Sequence, residues 1–267
     1  MEQIDSQVDV IRLPDVDGDA PDQDREFCEL ITLDGEKKTV RFHDYDEVYK
    51  VPGFYEGLFY ELLQCSSPSR VAALLDDVLE DFEDSSEELR VLDVGAGNGI
   101  VGDEFLARGV ERIVGVDIIP EARQAADRDR PDVYDDYVVT DLTNLPERHE
   151  ESLRKQNFNC LATVAALGFG DIPPKAFLKA LDLLVTPSWL AFNIKETFLE
   201  TGSDGTGFSD LVKHLNRDGV IQIQAYRRYC HRVNVAGEPL HYVAVVARKL
   251  RDIPDELMEF WSQRGEE

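Results

Sequence analysis

Basic residues and long apolar runs are both scarce in this chain of 267 residues. Lysine and arginine together number 28 against 54 aspartates and glutamates, which gives a formal net charge of −26. A surface this acidic repels nucleic acid and anionic membranes. No apolar run approaches the ~20 residues of a membrane span, and the N-terminal residues are acidic where a secretory signal is basic and then apolar. We therefore expect a cytoplasmic protein that has neither nucleic acid nor a membrane as its partner.

Cysteine is also rare in the sequence. The four cysteines are Cys28, Cys65, Cys160 and Cys230, and they lie far apart. This spacing fits neither a metal site nor a disulfide framework. We therefore expect reduced cysteines in the core and no metal site.

The excess of acidic residues has two interpretations. It is typical of the solvated surface of proteins from salt-loving organisms, and it also suits recognition of a basic partner or a cationic substrate. Composition alone leaves both interpretations open.

Residues 90–117 carry the most informative pattern in the chain. An apolar run, Val91 to Val94, leads into three glycines at alternate positions, then into a helical pattern, and then into a second apolar run that ends on Asp117. This order predicts one βαβ unit and therefore a parallel sheet. Glycines let a ligand approach the backbone closely, and a carboxylate at the tip of the second strand accepts two hydrogen bonds from a ribose diol. The unit therefore predicts a nucleoside site.

The spacing of the glycines bears on which nucleoside is bound. Dinucleotide sites have the pattern G-x-G-x-x-G, whereas here Ile100 stands in the place of the third glycine of that pattern. Asp93 comes two residues before the loop, where a carboxylate suits a ligand with a cationic amino group better than one with a pyrophosphate. A glycine turn without a ligand and a nicotinamide or flavin site remain as alternatives.

The sequence DVGAGNG at residues 93–99, followed by GVD at 115–117, resembles the first motif and the following acidic motif of class I S-adenosylmethionine-dependent methyltransferases. The resemblance implies an α/β fold with a doubly wound, mostly parallel seven-stranded sheet whose last strand is antiparallel, and it implies S-adenosylmethionine as the cofactor. It also assigns cofactor contacts to nine residues of the motifs and of the loops after the second and third strands: Asp93, Gly95, Ala96, Gly97, Gly99, Asp117, Ile118, Asp141 and Leu142.

Residues 158–167 are expected to form the fourth strand. The end of this strand and the loop after it carry a second resemblance. Residues 164–174, VAALGFGDIPP, are similar to small-molecule methyltransferases akin to the methyltransferase-like protein linked to the Williams–Beuren region. The loop lacks the Asn/Asp-Pro-Pro-Tyr motif that grips a planar amino group in DNA or glutamine methylation. The resemblance therefore implies a small-molecule methyl acceptor.

The chain divides into four predicted segments: an acidic, disordered or loosely attached tail at 1–26, a hairpin and helical cap at 27–66, the methyltransferase core at 67–248, and a tail with a short helix at 249–267. In the resembling family the segment before the core often folds over the cofactor. This makes Tyr45, Tyr49 and Tyr55 candidates for the substrate mouth, with simple packing as the alternative. Phe169 is a further candidate from the loop at 168–174, and the polar loop at 201–207 is a predicted lid.

Methyl transfer needs a base only when the nucleophile carries a proton, because the enzyme chiefly positions the acceptor. The sequence does not identify this base; the candidates are Asp171, His231 and His241. With no base identified, a non-catalytic S-adenosylmethionine-binding module stays open as an alternative, as does a nicotinamide-dependent oxidoreductase. The oligomeric state is not predicted.

Overall fold

The structure is a computed structural model and describes residues 8–16, 21–32, 35–167, 171–196 and 207–263. Its strands are β1 (Val8–Arg12), β2 (Phe27–Thr32), β3 (Lys37–Arg41), β4 (Arg90–Val94), β5 (Arg112–Asp117), β6 (Asp136–Val139), β7 (Cys160–Thr163), β8 (Ser188–Lys195), β9 (Ile221–Val233) and β10 (Pro239–Lys249). Its α-helices are α1 (Tyr45–Lys50), α2 (Phe54–Glu56), α3 (Ser67–Asp81), α4 (Ile100–Leu106), α5 (Pro120–Asp129), α6 (Glu147–Arg154), α7 (Pro174–Asp182), α8 (Phe208–Arg217) and α9 (Asp255–Ser262). No helix among the described residues is long and apolar enough to cross a membrane.

The larger sheet has seven strands in the order β6-β5-β4-β7-β8-β10-β9. The five strands from β6 to β8 are parallel, and β10 is antiparallel to both β8 and β9. The prediction of a doubly wound, mostly parallel seven-stranded sheet with an antiparallel last strand is confirmed. The strand order reverses between β4 and β7, and open α/β sheets bind ligands beyond the carboxyl ends of their strands at such a point.

Both faces of this sheet are buried, and the two faces take alternate residues of each strand. Leu92 and Leu161 belong to one apolar cluster, together with side chains of α7 and α8. Val91 and Cys160, their neighbours in sequence, belong to the other cluster, which includes side chains of α3. Because a central parallel strand is covered on both sides, it appears in the sequence as a continuous apolar run.

The N-terminal tail is more ordered than predicted. Val8–Arg12 is strand β1, which pairs antiparallel with β2 and completes a three-stranded sheet with β3. Gln23 lies in a short 3-10 turn and is buried, and Glu26 is fully buried beside Arg232. The prediction of a disordered or loosely attached tail is therefore wrong over these residues. The order comes from partners distant in sequence, β2 and Arg232, which the local composition does not indicate.

The cap consists of α1, α2 and a π-helical turn, Gly57–Leu62, that continues α2. Its aromatic side chains pack on one another and on the small sheet. Tyr49 of α1 also packs against Ala122 and Ala125 of α5. Because α5 follows β5, this contact brings the cap over the carboxyl end of β5.

Three further details differ from the sequence-based expectation. The fourth strand is only Cys160–Thr163 rather than residues 158–167, because Ala165 has a positive φ of 58° and the chain turns there. Helix α6 was not predicted, because Leu153 is its only buried residue. Among the four cysteines, which are all free, Cys230 is exposed rather than in the core. Phe169 and residues 201–206 of the predicted lid lie outside the described residues.

Candidate active site

A cavity of about 470 Å³ lies beyond the carboxyl ends of the central strands, where the strand order reverses. Its walls come from the strand ends, from the loop after β7 and from the cap. A cavity between a sheet edge and a cap is concave, as small-molecule sites commonly are.

The glycine loop between β4 and α4 has a backbone that side chains would disturb. Gly95, Gly97 and Gly99 have positive φ values of 74°, 54° and 89°. A Cβ atom on Gly95 would lie 2.7 Å from Cβ of Ala166 across the cavity wall. Glycine is therefore needed at the first position both for conformation and for space.

Asp117 lies at the tip of β5 and lines the cavity. Its Oδ2 accepts a hydrogen bond from the backbone N–H of Gly97 at 3.0 Å, and its Oδ1 accepts one from the N–H of Ile119 at 3.0 Å. Burial raises the pKa of Asp117, while these two N–H groups act in the opposite direction. The carboxylate is thus held in place against the glycine loop.

Asp93 is placed differently from the sequence-based expectation. It is fully buried, its Oδ2 accepts a hydrogen bond from the hydroxyl of Tyr134 at 2.7 Å, and it does not line the cavity. Because successive side chains of a strand face opposite sides, the next residue, Val94, lines the cavity instead. Burial raises the pKa of Asp93 to about 7. The expectation that its carboxylate faces the ligand does not fit this geometry, in which Asp93 supports the glycine loop from behind.

The other residues assigned to the cofactor divide into two groups. Ile118, Asp141 and Leu142 line the cavity together with Gly95 and Asp117. The side chain of Asp141 accepts hydrogen bonds from the N–H and hydroxyl of Thr143 at 2.8 and 2.7 Å. The second group does not line the cavity and forms the loop behind it: Ala96, Gly97 and Gly99, together with Asp93.

The three tyrosines of the cap line the same cavity. Tyr45 stacks on Tyr49 with ring centroids 6.0 Å apart, and Tyr49 packs against Tyr55 at 5.0 Å. The hydroxyl of Tyr49 lies 2.5 Å from where a Cβ atom on Gly97 would stand. Burial raises the pKa of all three hydroxyls, so they are neutral donors in this wall.

Of the three candidates for a base, the structure brings only Asp171 to this cavity. His231 is buried, with Nδ1 2.6 Å from the hydroxyl of Ser67, and burial lowers its pKa to about 3. His241 lines neither this cavity nor the smaller chamber beside it.

The sequence-based reasoning missed His43, whose Nδ1 lies 3.3 Å from Oδ2 of Asp171. Both residues line the cavity. The available signal was the position of His43 between the last strand of the small sheet and the first helix of the cap, but its partner is distant in sequence.

A smaller chamber of about 40 Å³ adjoins the cavity and shares part of its wall. The shared residues are His43, Tyr45, Tyr55, Ala165 and Asp171. The remaining wall of the chamber comes from both the N-terminal segment and the core: Gln23, Phe59, Cys65, Leu167, His231, Arg232 and Tyr242.

Residues 92–186, which contain the glycine loop and the loop after β7, match the family model described as a methyltransferase domain. Over these residues the chain is similar to a methyltransferase domain, and its seven-stranded sheet has the class I methyltransferase fold. The seven-stranded sheet of this methyltransferase domain extends beyond the matched residues to β9 and β10. No curated protein sequence matches the chain.

Two solved structures share the fold of this methyltransferase domain. The N-methyltransferase NodS from Bradyrhizobium japonicum, in complex with S-adenosyl-L-homocysteine, is 12% identical, with a TM-score of 0.53 over 79% of this chain and 98% of that chain. An S-adenosylmethionine-dependent methyltransferase from Anabaena variabilis is 13% identical, with a TM-score of 0.50 over 78% of this chain and 93% of that chain. At these identities the likeness concerns the fold.

Proposed function

We propose that this methyltransferase domain transfers the methyl group of S-adenosylmethionine to a small-molecule acceptor held beneath the cap. The observation that carries the proposal is that Gly95 of the glycine loop, Asp117 and the cap tyrosines line one cavity. A cofactor bound at Gly95 and Asp117 would therefore share the cavity with an acceptor held by the cap tyrosines.

The residues around the glycine loop fit the cofactor. The carboxylate of Asp117 would accept hydrogen bonds from the ribose hydroxyls, Gly95 lines the site beside it, and Asp141 with Leu142 would flank the adenine. Ile118, which is 59% exposed, gives the adenine an apolar surface. Because Asp93 is buried behind the loop, its role in this proposal is to support the loop.

When bound, S-adenosylmethionine supplies a methyl group on a positively charged sulfur, which is displaced in line by a nucleophile. The residues of the chain then have two tasks, to align the acceptor and to exclude water. Holding two reactants in the reactive geometry alone lowers a barrier by about 7–11 kcal/mol in favourable cases. The buried ring of Tyr49 and its neighbour Tyr45 provide a rigid wall for this alignment.

Two observations favour a small acceptor over a macromolecule. Residues of the cap form part of the cavity wall, so the acceptor has to fit between the cap and the carboxyl ends of the strands. The net charge of −26 opposes the approach of nucleic acid. We therefore place nucleic acid and membranes outside the proposed set of partners.

The test has a binding part and a turnover part. The purified chain is titrated by calorimetry with S-adenosylmethionine, S-adenosylhomocysteine and NAD, at low and at high salt, and transfer of labelled methyl to a panel of small acceptors is then measured. We expect micromolar binding of the first two ligands only, followed by labelled product. Binding of NAD alone would favour an oxidoreductase, and binding of S-adenosylmethionine without transfer across the panel would favour a non-catalytic binding module.

A further inference from the structure

We propose that His43, paired with Asp171, is the general base of the methyl transfer, and that the acceptor is a small phenol with a second hydroxyl group. The inference rests on the proposed function and names the substrate class of the same site. It starts from a juxtaposition: a histidine and a carboxylate meet in the wall that the cavity shares with the smaller chamber.

The pair has the geometry of a supported base. His43 Nδ1 lies 3.3 Å from Asp171 Oδ2, and the two side chains are 16% and 29% exposed. An imidazole that takes up a proton becomes a cation, and a carboxylate at this distance neutralises the new charge. The ring of His43 also packs edge-on against Tyr45, with ring centroids 5.7 Å apart.

The presence of a base restricts the acceptor. A carboxylate acceptor has lost its proton at neutral pH, whereas a phenol, with a pKa of about 10, still carries its proton. An alkylamine also carries a proton, but it would enter this wall of buried tyrosines as a cation and would have to be desolvated. A phenol enters as a neutral molecule, and its ring suits the aromatic wall formed by Tyr45, Tyr49 and Tyr55.

The lining of the smaller chamber indicates that the acceptor carries a second hydroxyl group. Gln23 is 8% exposed; its Nε2 donates to the hydroxyl of Tyr242 at 2.9 Å, while its Oε1 has no hydrogen-bond partner among the described residues. A buried acceptor without a donor costs about 1–3 kcal/mol, and a donor on the ligand would remove that cost. The chamber has a volume of about 40 Å³, and a cavity needs about 10–15 Å³ to hold one water molecule. It therefore has room for a hydroxyl group but is small for a ring.

The reaction balances without any further reagent. The oxygen of the acceptor forms a bond to the methyl carbon while the bond from that carbon to sulfur breaks and its electron pair stays on sulfur. The proton of the acceptor hydroxyl passes to the imidazole ring of His43. The products are a methyl ether, S-adenosylhomocysteine and the imidazolium of His43 paired with Asp171. The imidazolium then releases its proton to solvent.

Several titratable or charged groups share this environment and bear on any pH profile. Those that line the chamber with the pair are Tyr45, Tyr55, Cys65, His231, Arg232 and Tyr242, and the cavity adds Tyr49, Asp117 and Asp141. Arg232 is already paired with the buried Glu26. Burial lowers the pKa of His231 to about 3 and raises the pKa of each of the four tyrosines, so these groups keep one protonation state at neutral pH.

The first experiment identifies the acceptor class. The purified chain and labelled S-adenosylmethionine are incubated with catechol, phenol, benzylamine, benzenethiol and benzoate in turn. We expect labelled methyl ether from catechol at the highest kcat/KM, and less from phenol. Transfer only to the amine, the thiol or the carboxylate would overturn the phenol assignment while leaving the methyltransferase proposal intact. Calorimetric binding of the cofactor with no transfer to any of the five would overturn the phenol assignment, and the wider panel of acceptors would then decide the methyltransferase proposal.

The second experiment tests the base with catechol as acceptor. We expect His43→Gln to lower kcat at least 100-fold, within the range of general-base catalysis, and Asp171→Asn to lower it about tenfold. For the wild type kcat should rise with pH as the base loses its proton, and His43→Gln should abolish that rise. His214→Gln, on helix α8 and in the wall of neither the cavity nor the chamber, is the matched control and should match the wild type. Cofactor binding by calorimetry shows that each variant is folded; a rise in KM alone, with kcat and its pH profile unchanged, would overturn the base assignment.

The third experiment tests the chamber. Gln23→Leu removes the unpaired acceptor at similar volume, and we expect it to raise the KM for catechol about tenfold while leaving the KM for phenol unchanged. An unchanged ratio of the two KM values would show that the second hydroxyl does not reach Gln23.

Discussion

The side chain of Asn193 holds Ala165 in a left-handed backbone conformation. Asn193 Oδ1 accepts a hydrogen bond from the N–H of Ala165 at 2.7 Å, and Ala165 has a φ of 58°, which residues with a Cβ atom rarely adopt. Asn193 is fully buried and is fixed in turn by bonds from its Nδ2 to the hydroxyl of Tyr229 at 2.7 Å and to Ser67 Oγ at 3.1 Å. The hydrogen bond from Ala165 to Asn193 ends β7 early. It places Ala165 in the wall that the cavity shares with the smaller chamber.

Replacing Asn193 by leucine should therefore affect both stability and turnover. The substitution leaves the N–H of Ala165 without its acceptor, and a buried polar group without a partner costs about 1–3 kcal/mol in the free energy of unfolding. Urea denaturation measures that loss, and kcat should fall as the loop after β7 relaxes. Asn216→Ala, at an exposed position of α8, is the control and should change neither quantity by a comparable amount. If Asn193→Leu matches this control, the loop does not depend on Asn193.

The assignment of Asp117 makes a prediction about cofactor affinity. Asp117→Ala removes a charged acceptor from the wall of the cavity, and hydrogen bonds to charged groups contribute about 1.5–3 kcal/mol. We expect a weakening of S-adenosylmethionine binding of about 10- to 150-fold on this basis. Asp127→Ala removes the same charge from the exposed side of α5, where the side chain is 67% exposed, and should leave the affinity unchanged. Equal affinities for the two variants would contradict the role of Asp117.

Gly97 and Tyr49 should behave as a coupled pair. A Cβ atom on Gly97 would lie 2.5 Å from the hydroxyl oxygen of Tyr49, and the positive φ of 54° adds a penalty of its own. Gly97→Ala should lower the free energy of unfolding by more than the ~1–2 kcal/mol expected for the left-handed conformation alone. In a Tyr49→Phe background, which lacks the hydroxyl, the loss should be smaller.

Gly219 provides the matched control for this cycle. It has a φ of 69°, and no heavy atom of the described residues lies within 4 Å of where its Cβ atom would stand, so Gly219→Ala reports the conformational penalty alone. Its effect should add to that of Tyr49→Phe. If the changes in the free energy of unfolding are also additive for Gly97→Ala and Tyr49→Phe, the hydroxyl of Tyr49 does not contact the glycine loop.

The contrast between Asp117 and His43 shows what the sequence could and could not predict. The glycine loop, Asp117 and the strands around them follow from local requirements on backbone conformation and apolar pattern, so residues 90–117 sufficed to predict them. The pairing of His43 with Asp171 joins the cap to the core, and no local pattern encodes such a meeting. Gln23 belongs to the same class, because the acidic composition around it predicts disorder and its partners are distant in sequence.

The position of Asp93 differs from the one predicted from the sequence, and this position leads to a prediction about stability. Its spacing before the glycines pointed to the ligand, yet the alternation of β4 directs it to Tyr134, and burial raises its pKa to about 7. Between the unfolded value of 3.8 and about 7 the unfolded chain has lost this proton while the folded chain keeps it. The folded state binds more protons there, so this group lowers the free energy of unfolding by about 1.4 kcal/mol for each unit that the pH rises.

Asp93→Asn should remove this dependence, because an amide does not titrate and can still accept the hydrogen bond of Tyr134. Unfolding in urea at pH values from 4.5 to 7 measures the difference between variant and wild type, in which the contributions of all other groups cancel. That difference should shift in favour of the variant as the pH rises and should level off above about 7. Asp127→Asn, on the exposed side of α5, should give a flat difference; a flat difference for Asp93→Asn as well would mean that the carboxyl is ionised behind the loop.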